Sequence, residues 1–209
     1  PQTQGQGSIK EGGYPPCAYI EIIQKIRQDY HFFSTKQKAH RAKILFGLAD
    51  LPLAVELHGD MTQAARLQSL EDFRTGKAGF LLATDVAARG LDILGVETVI
   101  NFDAPRNLTS YLHRIGRTAR AGSSGRSITF VEDQDRSLLK EIIKKGKIEL
   151  LSRKVASVAI NDWQAQVEGF ERDVIQILKS EREEKELRKA EMEAQKASNM
   201  IDHHDEIYS

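Results

Sequence analysis

Residues 30–147 predict an α/β lobe with an open, mostly parallel sheet and flanking helices, followed by a C-terminal helical extension. Three observations carry this. Short apolar runs bounded by turn signals are each followed by a helical pattern, the mark of βαβ units. Small polar groups or glycine close each run, at Ser34-Thr35, His58-Gly59, Thr84-Asp85, Asp103 and Asp133, and ligands of such sheets sit outside the carboxyl ends of the strands. Beyond Gly146 the alternation stops, and Trp163, Val167, Phe170, Val174 and Leu178 recur at i, i+4, i+7, i+11 and i+15, an amphipathic helix.

Composition bounds the rest. With 209 residues, 40% of them apolar, the chain suits one ordinary domain with appendages. Lys plus Arg equals Asp plus Glu at 30 each, so nucleic-acid binding must come from local patches. The lone Cys17 excludes an internal disulfide framework and a Cys-rich zinc site. No run approaches the ~20 apolar residues that span a bilayer, and no signal peptide is visible, so a soluble intracellular protein without membrane contact is expected. The chain starts at Pro1 rather than Met, which suggests a fragment or a processed chain.

Taken in order, residues 1–18 are rich in Gly, Gln, Pro and Ser and read as disordered, and Ile20–Tyr30 reads as a short helix, giving a lead-in over 1–29. His31–Ser34 is the first strand, and it is short. Lys36–Leu48 is a helix with Ala42, Leu45, Phe46 and Ala49 inward. Leu53–Leu57 is the next strand, and Thr62 caps a helix that turns Leu67, Leu70 and Phe73 inward and stops at Gly76. Phe80–Ala83, Thr98–Phe102 and Ser127–Val131 complete the strands. Asp133 caps a helix bearing Leu138, Leu139, Ile142 and Ile143, which ends at Gly146. The extension covers 148–200, with charges dominating Glu181–Lys196 and Glu181/Lys185 and Glu184/Arg188 spaced for helix support. A disordered tail covers 201–209, where His203 and His204 make a poor metal-ligand set.

The segment His113–Gly122 organises the lobe. On a helix of about 100° per residue, His113, Arg117 and Arg120 share one face, and Leu112, Ile115 and Ala119 gather opposite. No acid occurs from Pro105 to Val131. Unpaired guanidinium groups aimed together suit a phosphate, whose oxygens their fork matches. A solvated basic helix is the alternative on this segment alone. Asp85 could likewise be a plain turn cap, Gln63 and Arg66 first-turn residues, and Gly59 and Gly90 turn formers.

Thr84-Asp85-Val86-Ala87-Ala88-Arg89-Gly90-Leu91-Asp92, followed by the arginine segment, resembles motifs V and VI of the DEAD-box RNA helicases. His58–Arg66 resembles their His-Gly and Gln-x-x-Arg element, and Phe33–Lys36 their motif IV. The resemblance covers about Phe33–Lys145 and implies the second of two RecA-like lobes. By that resemblance Arg117 and Arg120 are catalytic arginine fingers toward ATP held by the other lobe. Gly90 and Asp92 contact the nucleotide, and Asp85 and His113 couple the cleft. Thr35, Gly59, Gln63, Arg66 and Thr84 hold RNA backbone. Mg2+ would be held mainly by the absent first lobe, since this sequence has no phosphate loop, no Asp-Glu-Ala-Asp stretch and no Ser-Ala-Thr motif. The chain alone is expected to be inactive. The stretch Phe33–Leu48 and the charged helix are most similar to the nucleolar large-subunit ribosome-assembly subgroup, which implies a nuclear, nucleolar location and preribosomal protein partners for the 158–180 helix. A non-catalytic RNA- or preribosome-binding module is the alternative, and a DNA helicase fits the Thr84–Asp92 wording less well. Where the family carries aliphatic residues before Phe33, this chain has Gln28-Asp29-Tyr30-His31, which is why the first strand is expected to be short.

Overall fold

The computed structural model describes residues 6–11, 23, 29–88, 96–119, 125–146, 150–153 and 157–202. In chain order these are β1 (Gln6–Glu11), β2 (Asp29–Phe33), α1 (Lys36–Leu48), β3 (Ala54–Leu57), α2 (Gln63–Arg74) and β4 (Phe80–Thr84). Then come the single turn α3 (Asp85–Ala88), β5 (Thr98–Asn101), α4 (Leu108–Ile115), β6 (Arg126–Val131), a 3-10 turn (Asp133–Asp135), α5 (Arg136–Gly146), β7 (Leu150–Arg153) and α6 (Ser157–Asp202). The strands form one seven-stranded sheet in the order β3-β4-β2-β5-β6-β1-β7, and every pair is parallel. Residues Pro1–Gly169 form one compact unit and Phe170–Ser209 a second.

An inner strand of the sheet is β2, paired with β4 on one side and β5 on the other. It begins at Asp29, two residues before the expected start, and all five of its residues are buried. Side chains alternate across a strand, so Tyr30 and Phe32 enter the cluster with Leu57, Phe73, Leu81 and Val99. On the opposite face His31 lies 5.3 Å from the Phe80 ring and 6.3 Å from Phe46 of α1. Aromatic packing on both faces, rather than aliphatic residues of its own, thus holds this inner strand.

α1 has the bounds the sequence predicts, because the Thr35 hydroxyl accepts from the Lys38 amide at 3.2 Å and Ala39, Ala42, Leu45 and Phe46 form its buried stripe. Thr62 caps α2 in the same way, and Gly76 takes a left-handed φ of 75° just past its end. Within α2, Phe73 is buried but Leu67 is 58% exposed, against the expected inward stripe. The 3-10 turn before α5 is capped by Glu132, not Asp133; Glu132 and Asp135 form a reciprocal capping box. Asp133 instead pairs with Arg136, and Ile143 of α5 is exposed.

Two strands lie outside the predicted set. Gln6–Glu11, expected to be disordered, pairs through its main chain with β6 and β7, and β7 lies where the alternation was expected to have ended. Of the expected Ile20–Tyr30 helix, Ile23 is helical and buried, Asp29 and Tyr30 are strand, and the rest lies outside the described residues. Ile201 and Asp202 continue α6, whereas His203 and His204 lie outside the described residues. Along α6 the side chains from Glu181 to Asn199 are exposed, with Lys179–Glu183, Glu184–Arg188 and Lys189–Glu193 paired at i,i+4. Among the described residues no helix is long and apolar enough to cross a membrane.

Candidate functional site

The arginine segment is not one helix. α4 stops at Ile115, and the Gly116 amide closes its last turn on the Leu112 carbonyl at 2.9 Å. Thr118 then leaves the helix: its hydroxyl donates to the carbonyls of Val96 at 2.6 Å and Glu97 at 3.1 Å, and Thr118 bridges to Val96 in parallel. Ala119 turns to a φ of 55°. The helical face predicted to carry His113 and Arg117 therefore ends at Ile115, and Arg120 lies outside the described residues. Of the predicted apolar side, Ile115 packs against the Tyr111–Leu138–Ile142 cluster, but Leu112 is 43% exposed.

The residue that α4 buries beside Tyr111 is Arg114, three positions on, at 2% exposure. A buried guanidinium cannot shed its charge and must be fully partnered. Nε and Nη2 donate to the two Asp85 carboxylate oxygens at 2.7 and 2.8 Å, a bidentate fork. Nη1 donates to Asn101 Oδ1 at 3.1 Å and to the Asp103 carbonyl at 2.8 Å. The Phe32 ring lies 5.0 Å below the guanidinium carbon, and Asn101 Nδ2 passes the chain on to Thr129 Oγ1 at 3.0 Å. One side chain so joins the carboxyl ends of β2, β4, β5 and β6. Sequence reasoning missed Arg114; the i,i+3 spacing from Tyr111 was the signal that could have found it.

Over this clamp lies a shallow open cleft lined by Phe32, Asp85, Ala88, Ser110, His113, Arg114 and Arg117. Asp85 is therefore the partner of Arg114, with His113 exposed on the same cleft. Arg117 is half-buried. Burial pushes the Tyr30 phenol well above its ordinary range, while the charge of Arg117 pulls it back. The Arg117 carbonyl accepts from the Val96 amide at 3.2 Å, so its main chain is fixed against the start of β5. A cation on a fixed turn beside an open cleft fits a nucleotide phosphate. Among the described residues no group of three or more His, Cys, Asp or Glu could hold a metal ion. Gly90, Asp92 and Arg120 lie outside the described residues.

The turn bearing Arg117 is also held from Gly125. A Cβ there would stand 2.1 Å from Thr118 Oγ1 and 2.5 Å from the Ala119 nitrogen. Gly125→Ala is expected to cost about 1–3 kcal/mol by overpacking, read as a lowered urea midpoint with an unchanged slope.

The predicted RNA residues lie along the carboxyl ends of β2, β3 and β4. Thr35 is exposed and spends its hydroxyl on the α1 cap. Gly59 is exposed in the turn after β3, Gln63 is exposed at the start of α2, and Thr84 is half-buried at the end of β4. Arg66 reaches across to the Ala87 carbonyl at 3.5 Å, linking α2 to α3. Asp103 accepts from the Ser34 amide at 2.8 Å and from Lys38, and Asp60 pairs with Lys36, so the 34–36 loop is braced from both sides.

Residues 17–122 match the family described as the helicase conserved C-terminal domain. The chain belongs to that family. Its similarities place the lobe among DEAD-box RNA helicases. It is 57% identical over 178 residues to DEAD-box ATP-dependent RNA helicase 28 of Arabidopsis thaliana, covering 85% of this chain and 22% of that protein. The helicase lobe superposes on E. coli DEAD-box protein SrmB, solved with the regulator of ribonuclease activity A, with a TM-score of 0.67 and 30% identity, over 76% of this chain and 95% of that one. On S. cerevisiae Dbp5 bound to RNA and ADP BeF3 the TM-score is 0.66 with 27% identity, over 83% of this chain and 46% of that one. The chain thus spans about a fifth of the length of the curated relative it matches.

Proposed function

We propose that this lobe binds single-stranded RNA along its backbone and supplies arginine fingers to ATP held by an N-terminal RecA-like lobe, completing an ATP-dependent RNA helicase. The observation that carries this is Arg117 fixed at the rim of the open cleft above the Arg114–Asp85 clamp. As the bond to the γ-phosphoryl group loosens, charge spreads onto its oxygens, and a preorganised guanidinium there lowers the barrier, by about 10³–10⁵ in rate for related phosphoryl transfers. Arg120 is the second finger, and Gly90 and Asp92 take the nucleotide's ribose. Magnesium, when bound, supplies charge neutralisation from the first lobe's ligands.

Gly59, Gln63, Arg66 and Thr84, together with the Thr35 cap region, form an edge of small polar groups suited to phosphates and 2′-hydroxyls. Contacts of that type tolerate any sequence. The RNA-bound state of Dbp5 supports this reading. The resemblance of Phe33–Leu48 and the charged α6 supports a role in nucleolar large-subunit ribosome assembly, with preribosomal proteins docking on the 158–180 helix.

Complementation tests the proposal. The purified chain alone shows no RNA-stimulated ATPase; adding a separately purified first lobe restores it, and Arg117→Ala or Arg120→Ala lowers the restored rate by about 10³ or more. RNA retention without ATPase under any complementation would leave only a binding module.

A further inference from the structure

We infer that Glu56 is a positioning residue for the turn 58–63, the part of the edge that carries Gly59 and Gln63. The inference rests on the RNA reading above and deepens it. Glu56 is only 6% exposed, on β3 at the edge of the sheet. Its carboxylate accepts from His40 Nδ1 at 2.9 Å and Lys43 Nζ at 3.1 Å on α1, and from His58 Nε2 at 3.0 Å. Burial pushes the carboxyl up, but the His40 and Lys43 contacts outweigh it and hold the group down to about 2. An ionised carboxylate only accepts, so both imidazoles must present an N–H to it, which fixes the orientation of each ring.

Stability is one part of what this charge does. Its neighbour in register on β4 is Leu82, and the other buried residues of β3 are Ala54 and Leu57. Replacing Glu56 alone by an aliphatic residue strands His40, Lys43 and His58, whose acceptor it is, and costs stability. The carboxylate does what an aliphatic cannot: it pins His58, the first residue of the turn. The His58 amide donates to Met61 Sδ at 3.4 Å, the Met61 amide returns to the His58 carbonyl at 3.4 Å, and Thr62 then caps α2. Packing does not fix the turn at Gly59, where a Cβ would meet nothing within 4 Å. The exposed Asp60–Lys36 pair is a weak, screened second tie. The frame of Gly59, Gln63 and Arg66 is thereby set from a buried anchor beneath them.

The test uses this chain with Glu56→Leu and Glu56→Gln, read by melting, by hydrogen–deuterium exchange and by anisotropy of 5′-fluorescein-labelled decauridylate. Glu56→Leu is expected to lower the melting midpoint by several degrees, because it strands the groups that faced the carboxylate, while amides 58–63 gain about tenfold more in exchange rate than those of β4. RNA binding should weaken about tenfold, the loss of one well-aligned charged contact, and Glu56→Gln should recover part of both effects. Exchange over 58–63 that rises no more than that of β4, or an RNA loss that appears only with global unfolding, overturns the positioning role. Failure of the wild-type chain to bind the RNA overturns the RNA reading instead, and exchange over 58–63 still decides the role of Glu56.

Discussion

Arg114→Met is expected to destabilise the lobe by about 3 kcal/mol, the low end for removing one partner of a buried ion pair. The low end applies because the orphaned Asp85 carboxylate is 35% exposed and recovers some hydration. Asn101 and the Asp103 carbonyl also lose their donor. At this size the loss corresponds to a melting midpoint roughly 10 °C lower. Arg114→Lys keeps the charge but not the fork, and should recover about half. Asp85→Leu is the more damaging single change, because it strands a guanidinium that is 3% exposed and cannot deprotonate. Combining Asp85→Leu with Arg114→Met removes both charges and should lose less than Asp85→Leu alone, a coupling of about 1–3 kcal/mol. Additive losses in urea titrations would show that the pair does not hold the ends of the strands together.

What the sequence made legible, and what it hid, follows from how local each cause is. The bounds of α1 and the start of α2 were readable because Thr35 and Thr62 cap them within three residues of their own positions. The carboxyl-end polar groups of β2, β3 and β4 were readable because parallel sheets present that edge. Arg114 was hidden because its partners Asp85 and Asn101 lie 29 and 13 residues away and only the sheet brings them together. Helical spacing extended past Gly116 because periodicity cannot register that Thr118 finds better partners in the carbonyls of Val96 and Glu97. Leu67 fell on the wrong side because the stripe of α2 is narrow. β1 carries no alternation that could announce it, and its place is fixed by main-chain pairing with β6 and β7. The start of β2 was obscured by its own polarity, and that polarity has a measurable consequence.

Stability of the lobe should be nearly flat from about pH 6.5 to about pH 4.5, because two buried residues of β2 titrate in opposite senses. Burial pushes the Asp29 carboxyl from 3.8 up to about 7, with the Thr98 hydroxyl offsetting part of the rise. The folded state then holds a proton that the unfolded chain has shed, so the stabilisation is full below 3.8 and lost as pH rises through 7. Burial lowers the His31 imidazole from 6.5 to about 3. Its stability is present above 6.5 and drains away as pH falls toward 3. Each slope is about 1.4 kcal/mol per pH unit, and where the windows overlap they cancel. Below 4.5 the ionised Glu56, held down to about 2, adds an acid-side loss of its own. Asp29→Asn removes one limb: the variant should gain a few kcal/mol at pH 8, where burying the charged carboxylate is costly, and fall by about 2 kcal/mol between pH 6.5 and 5. His31→Phe removes the other limb, so its stability should climb by a similar amount as pH drops over that interval. The double variant should be flat again at a higher level. Urea midpoints at half-unit pH steps distinguish these curves, and parallel profiles for the wild type and Asp29→Asn would mean that Asp29 is already hydrated in the folded lobe.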